Sequence, residues 1–78
     1  MKVKVRLFAN LVKYAPQGRN PFSVELKQGA SVGDITKHLG IPAEERKITL
    51  LNGRHCNNEH TVLNEDDEIV FMTPVEGG

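Results

Sequence analysis

From its second residue the chain alternates without a break. Lys2-Val3-Lys4-Val5-Arg6-Leu7 puts polar and apolar side chains on opposite faces, as in a strand with one face buried. Val3, Val5 and Leu7 are expected to face a core. Phe8 has the other parity and is expected to be a strand-end residue or an exposed aromatic. Residues 10–14 suit a short helical turn, and residues 16–21, with Pro16, Gly18 and Pro21, suit a loop. Phe22-Ser23-Val24-Glu25-Leu26-Lys27 alternates again, directing Phe22, Val24 and Leu26 inward. Two strands this close in sequence are expected to pair antiparallel.

The period then changes. Val32, Ile35 and Leu39 recur at helical spacing behind Ser31, a natural N-cap, with Asp34 placed to complete a capping box. Gly40 stands where a helix takes a left-handed residue, and Pro42 forbids continuation, so the helix is about two turns long. Gly33 in its first turn is expected to permit a close helix–sheet approach. Residues 47–51 read as a third strand and Asn52-Gly53 as a hairpin turn, with a short return strand from Arg54. Thr61-Val62-Leu63 is a short apolar segment, and residues 68–73 form the last strand. The economical packing is one mixed sheet of four to five strands on one main helix, an α+β roll with its first and last strands parallel at the centre. That is the ubiquitin-like β-grasp arrangement. The helix stripe is expected to meet Val3, Val5, Phe22, Val24, Leu26, Ile48, Leu50 and one face of residues 69–72.

With 78 residues, 38% hydrophobic and 26% charged, the composition fits one globular domain over residues 1–78. A single cysteine, Cys56, leaves no internal disulfide and suggests a reducing compartment. No apolar run approaches a membrane span, so a cytoplasmic protein is expected, without membrane partners. Net charge is zero, against a general nucleic-acid binder. The charge is uneven, however. Residues 1–40 hold seven Lys/Arg against two Asp/Glu, and residues 41–78 three against eight. Glu65-Asp66-Asp67-Glu68 reads as a solvated turn, with steering of a basic partner as the alternative.

Groups for catalysis are scarce. Ser23 belongs to a strand face and Ser31 to a helix cap. His55 and Cys56 are adjacent on an extended segment and therefore point apart. A zinc site from His55, Cys56 and His60 lacks a fourth ligand nearer than His38, on the helix, so no metal site and no bound cofactor are expected. The chain is not expected to be an enzyme.

The sequence closes on Thr73-Pro74-Val75-Glu76-Gly77-Gly78. Pro74 cannot continue a sheet ladder, and glycines without Cβ atoms can thread a narrow channel. Residues 74–78, extended at roughly 3.3 Å each, reach about 16 Å. This end reads either as a flexible arm, with Val75, Glu76, Gly77 and Gly78 able to thread a partner's cleft, or as an incidental, frayed terminus.

The ends of the chain carry a resemblance. Val5-Arg6-Leu7-Phe8-Ala9, and the run from Leu63-Asn64 through the acidic turn and Ile69-Val70-Phe71-Met72 to Pro-Val-Glu-Gly-Gly, resemble the MoaD/ThiS family of ubiquitin-like sulfur carriers. Within it, the tail is most similar to molybdopterin synthase small subunits. Thiamine-pathway carriers usually lack this proline, whereas Thr73 stands where the small subunits commonly have a second one. The resemblance implies a protein cosubstrate. An adenylyltransferase of the ubiquitin-activating type uses ATP to adenylate the Gly78 carboxylate, a persulfide donor supplies sulfur, and a thiocarboxylate results. The acceptor is then the synthase large subunit in molybdenum cofactor biosynthesis. The alternatives are a carrier for thiamine or another thiolated product, and a modifier joined to lysines through Gly78. Partner contact is expected from Phe8, Phe71 and Pro74, on an apolar sheet surface beside the tail.

Overall fold

The first alternation becomes β1 (Lys2–Leu7), with Val3, Val5 and Leu7 buried and Lys2, Lys4 and Arg6 exposed. A computed structural model describes residues 1–74. A 3-10 segment, Ala9–Tyr14, follows β1, and a shorter one, Pro16–Gly18, lies in the loop before β2 (Phe22–Glu25). The Asn20 side chain closes that loop: its amide nitrogen donates to the Leu7 carbonyl at 2.7 Å, and its oxygen accepts from the Leu7 N–H at 3.0 Å. β1 and β2 pair antiparallel, as their proximity in sequence requires.

Helix α1 (Val32–Leu39) begins at Ser31 and ends at Gly40, whose φ of 77° is the left-handed value expected there. The capping box forms: Asp34 Oδ2 accepts from the Ser31 N–H at 2.8 Å and the Ser31 hydroxyl at 3.2 Å. The first of these bonds is the chief reason why the Asp34 carboxyl is held below its ordinary pKa. A carboxyl depressed in the folded state stabilises above its unfolded pKa, and that contribution is lost as pH falls through the folded one. At neutral pH, wild type is therefore expected to unfold at higher urea than Asp34→Asn, and the gap should close below about pH 4. Urea melts at a series of pH values check this.

β3 (Ile48–Leu51) turns through Asn52 and Gly53, both at positive φ, into β4 (Arg54–His55). β5 (Glu68–Met72) completes a five-stranded sheet in the order β2-β1-β5-β3-β4. β5 runs parallel to β1 and antiparallel to β3, in the α+β β-grasp arrangement expected. The helix and connecting segments cover one face of the sheet. Val3, Val5, Leu7, Phe22, Val24, Val32, Ile35, Ile69 and Phe71 form the core with Leu11 of the 3-10 segment and Leu63 of a connecting segment, both outside any periodic pattern.

Three expectations need correction. Ile48 and Leu50 do not face the helix. β3 is set by β5, where Thr49 lies opposite Phe71 and Leu51 opposite Ile69, and cross-strand partners share a face. Thr49 is therefore buried, while Ile48 and Leu50 lie half-buried on the other side. Gly33 makes its close approach to a loop and not to the sheet. Its N–H donates to the Glu59 carbonyl at 2.8 Å, and a Cβ there would stand 3.2 Å from that oxygen. Phe71, expected at a partner surface, is 0% exposed. Its position opposite Leu7 and Thr49 places it in the core.

Candidate functional site

The tail residues Val75, Glu76, Gly77 and Gly78 lie outside the described residues, so the site is built from what surrounds the root of the tail. β5 ends at Met72, and Thr73 and Pro74 follow, both half-buried. The chain thus departs from a strand bonded on both sides.

The sheet face opposite the helix is the surface beside that departure. On β5 it carries Val70 and Met72, the parity left over when Ile69 and Phe71 turn inward. Across the ladder, Met72 lies opposite Ile48, and Val70 opposite Leu50. These four half-buried side chains form an apolar strip across the two strands. On the other flank Arg6 lies opposite Val70, and Lys4 opposite Glu68. Phe8 extends the strip toward the end of β5. Its backbone is extended, its N–H donates to the Phe71 carbonyl at 3.0 Å, and its side chain is 43% exposed.

The structure thus brings Phe8 and Pro74 to the same end of the sheet and removes Phe71. In its place the strip supplies Met72, Val70, Ile48 and Leu50, which parity alone did not identify. Both β3 and β5 are continuously apolar apart from Thr49 and Glu68, and the informative signal is the buried alternation of β1, carried across the sheet by register.

Other chemistry on the chain has structural employment. In the acidic turn, Asp67 accepts from the Asn64 N–H at 2.8 Å and the Asn52 amide at 3.0 Å, and Glu65 accepts from the Lys2 N–H at 3.2 Å. The Cys56 thiol donates to Thr61 Oγ1 at 3.4 Å, while His55 is exposed. Among the described residues no group of three or more His, Cys, Asp or Glu side chains is gathered so as to hold a metal. None of their helices is long and apolar enough to cross a membrane.

The ThiS family model matches residues 5–78. Among solved structures, a putative molybdopterin converting factor subunit 1 from Pyrococcus furiosus is 26% identical, with a TM-score of 0.77 over 95% of this chain and 98% of the other. SAMP1 from Haloferax volcanii, a small archaeal modifier protein, is 23% identical, with a TM-score of 0.78 over the whole of both chains. A third is found in the complex of subunits 1 and 2 of the molybdopterin-converting factor from Helicobacter pylori, with 23% identity and a TM-score of 0.70 over the whole of both chains. The match of nearly the whole sequence to one family model, on a β-grasp frame shared with all three structures, places this chain in the ThiS family.

Proposed function

We propose that this chain is a sulfur carrier acting through the Gly78 carboxylate, in molybdopterin biosynthesis as the synthase small subunit. One observation carries the reading: the central strand β5 delivers Thr73 and Pro74, which immediately precede Val-Glu-Gly-Gly in sequence, at the edge of an open apolar strip. Such a strip suits docking on a partner while a side-chain-free terminus enters its cleft. The similarity to subunit 1 of molybdopterin-converting factors, one of them seen in a complex with subunit 2, supports this choice of pathway.

The chemistry follows from the carboxylate's weakness as an electrophile. Attack of its oxygen on the α-phosphorus of ATP releases pyrophosphate and leaves an acyl adenylate, whose AMP is a good leaving group. The outer sulfur of a persulfide attacks the acyl carbon and AMP departs. A thiol then splits the acyl disulfide, leaving the thiocarboxylate and a new disulfide. The activating enzyme and persulfide donor supply these steps; the chain supplies the docking surface and the terminus.

A second reading, a modifier joined to lysines through Gly78, is supported by the likeness to SAMP1. A thiamine-pathway carrier would share the activation and differ in the acceptor. Incubation with ATP, an adenylyltransferase of the ubiquitin-activating type and a persulfide donor, followed by intact mass, tests the proposal. A gain equal to sulfur in place of oxygen is expected. Lysine-linked conjugates without a thiocarboxylate would favour the modifier.

The docking strip has its own test. Phe8 is exposed, so Phe8→Ala should change stability by less than about 0.5 kcal/mol. As an aromatic anchor it should weaken binding to the partner subunit by about 1–2 kcal/mol, roughly 5- to 30-fold. Calorimetric titration beside a thermal melt separates the two effects.

A further inference from the structure

At the root of the tail, Thr73 and Pro74 line a groove of about 300 Å³ with Asn10, Glu44, Glu45 and Arg46. One wall belongs to the 3-10 segment after β1, the other to residues 42–46. The latter lie outside helix and strand, with the Glu45 N–H donating to the Pro42 carbonyl at 3.1 Å. Across this divide the Tyr14 hydroxyl donates to Glu45 Oε1 at 3.2 Å, joining residues 31 apart in sequence. Tyr14 and Glu45 are half-buried, while Glu44 and Arg46 beside them are exposed. Loss of hydration, and then the bond to Glu45, raise the Tyr14 hydroxyl above its ordinary pKa of 10.0, so it stays a donor at neutral pH.

We infer that Tyr14 and Glu45 form a latch that fixes residues 42–46 as a wall of this groove and so sets the heading at which Thr73 and Pro74 leave the sheet toward the activating enzyme. The inference rests on the proposed activation of Gly78 and names two positioning residues for it. A wall held from the far side of the groove narrows the headings open to Thr73 and Pro74. Its action is therefore on binding of the productive complex, not on the chemical step.

Tyr14→Phe keeps the ring and removes the donor. Glu45→Ala removes the acceptor, while Glu45→Gln keeps an acceptor oxygen and removes the charge. On the full chain, Tyr14→Phe and Glu45→Ala are expected to speed hydrogen exchange at the Glu45 amide by about 3- to 10-fold, the worth of one modest hydrogen bond. Both should also move the Thr73 amide resonance, and Glu45→Gln should do neither. With the activating enzyme, the first two variants should raise KM for the chain by a similar factor while kcat holds, and Glu45→Gln should restore it. Unchanged exchange in Tyr14→Phe, or Glu45→Gln behaving as Glu45→Ala, would overturn the latch. Exchange is read on the free chain and adenylation on wild type, so failure of the latch and failure of the Gly78 reading appear in different measurements.

Discussion

A chain ending at Gly77 should fold as wild type does and lose adenylation by at least about 100-fold. Removing one residue draws the carboxylate back by roughly 3.3 Å. A misplacement of about 1 Å at a reacting centre can already cost on the order of 10² in rate. Nothing in the described core depends on residue 78: the buried cluster runs from Val3 to Phe71. The thermal midpoint should therefore stay in place while the adenylate vanishes from the intact mass spectrum. Full activity in the shortened chain would sink the assignment of Gly78, whatever the pathway.

The second large effect falls on stability. Phe71→Ala should cost about 3–5 kcal/mol, the usual range for truncating a buried phenylalanine. Phe71 is among the largest fully buried side chains, and β5 holds it between Leu7 of β1 and Thr49 of β3. A domain of this size has a total stability of only about 4–12 kcal/mol. The variant should therefore unfold at much lower urea, or not fold at all at physiological temperature. Circular dichroism across a urea series reads this directly. The contrast with Phe8→Ala is the useful part. Phe8 should lose partner affinity and keep stability; Phe71 should lose stability first. If Phe71→Ala kept its unfolding midpoint and lost binding, the core placement of that ring would be wrong.

These two aromatics show how much the sequence disclosed. Unbroken alternation fixed the faces of β1 and β2, because apolar and polar residues take turns within each strand. Ser31, Asp34 and Gly40 marked both ends of α1 through cap chemistry that is local by nature. β3 and β5 were different. Ile48-Thr49-Leu50-Leu51 and Ile69-Val70-Phe71-Met72 offer an apolar residue to either face, so their sidedness comes from the neighbouring strand. That is why parity left the side of Phe71 open, its expected partner contact resting on the resemblance alone, and why Ile48 and Leu50 were expected inside. Leu11, Ile41 and Leu63 were missed as core because isolated apolar residues in connecting segments carry no period. The groove at the root of the tail gathers residues 10, 44–46 and 73–74, which no local pattern links. The Gly-Gly end lies outside the described residues, and its reading rests on the character of the residues themselves.

The position of β5 in the sheet bears on what happens when a partner takes hold of the tail. A pull on Thr73 runs along the strand axis. It loads the ladder to β1 on one side and the ladder to β3 on the other, all in shear. An edge strand pulled sideways would unzip one hydrogen bond at a time, each failing alone. Here the bonds share the force, and they lie against Ile69 and Phe71, the buried side chains that anchor the strand. Traction applied at Thr73 is thereby passed to the whole sheet, and the domain moves as a rigid handle.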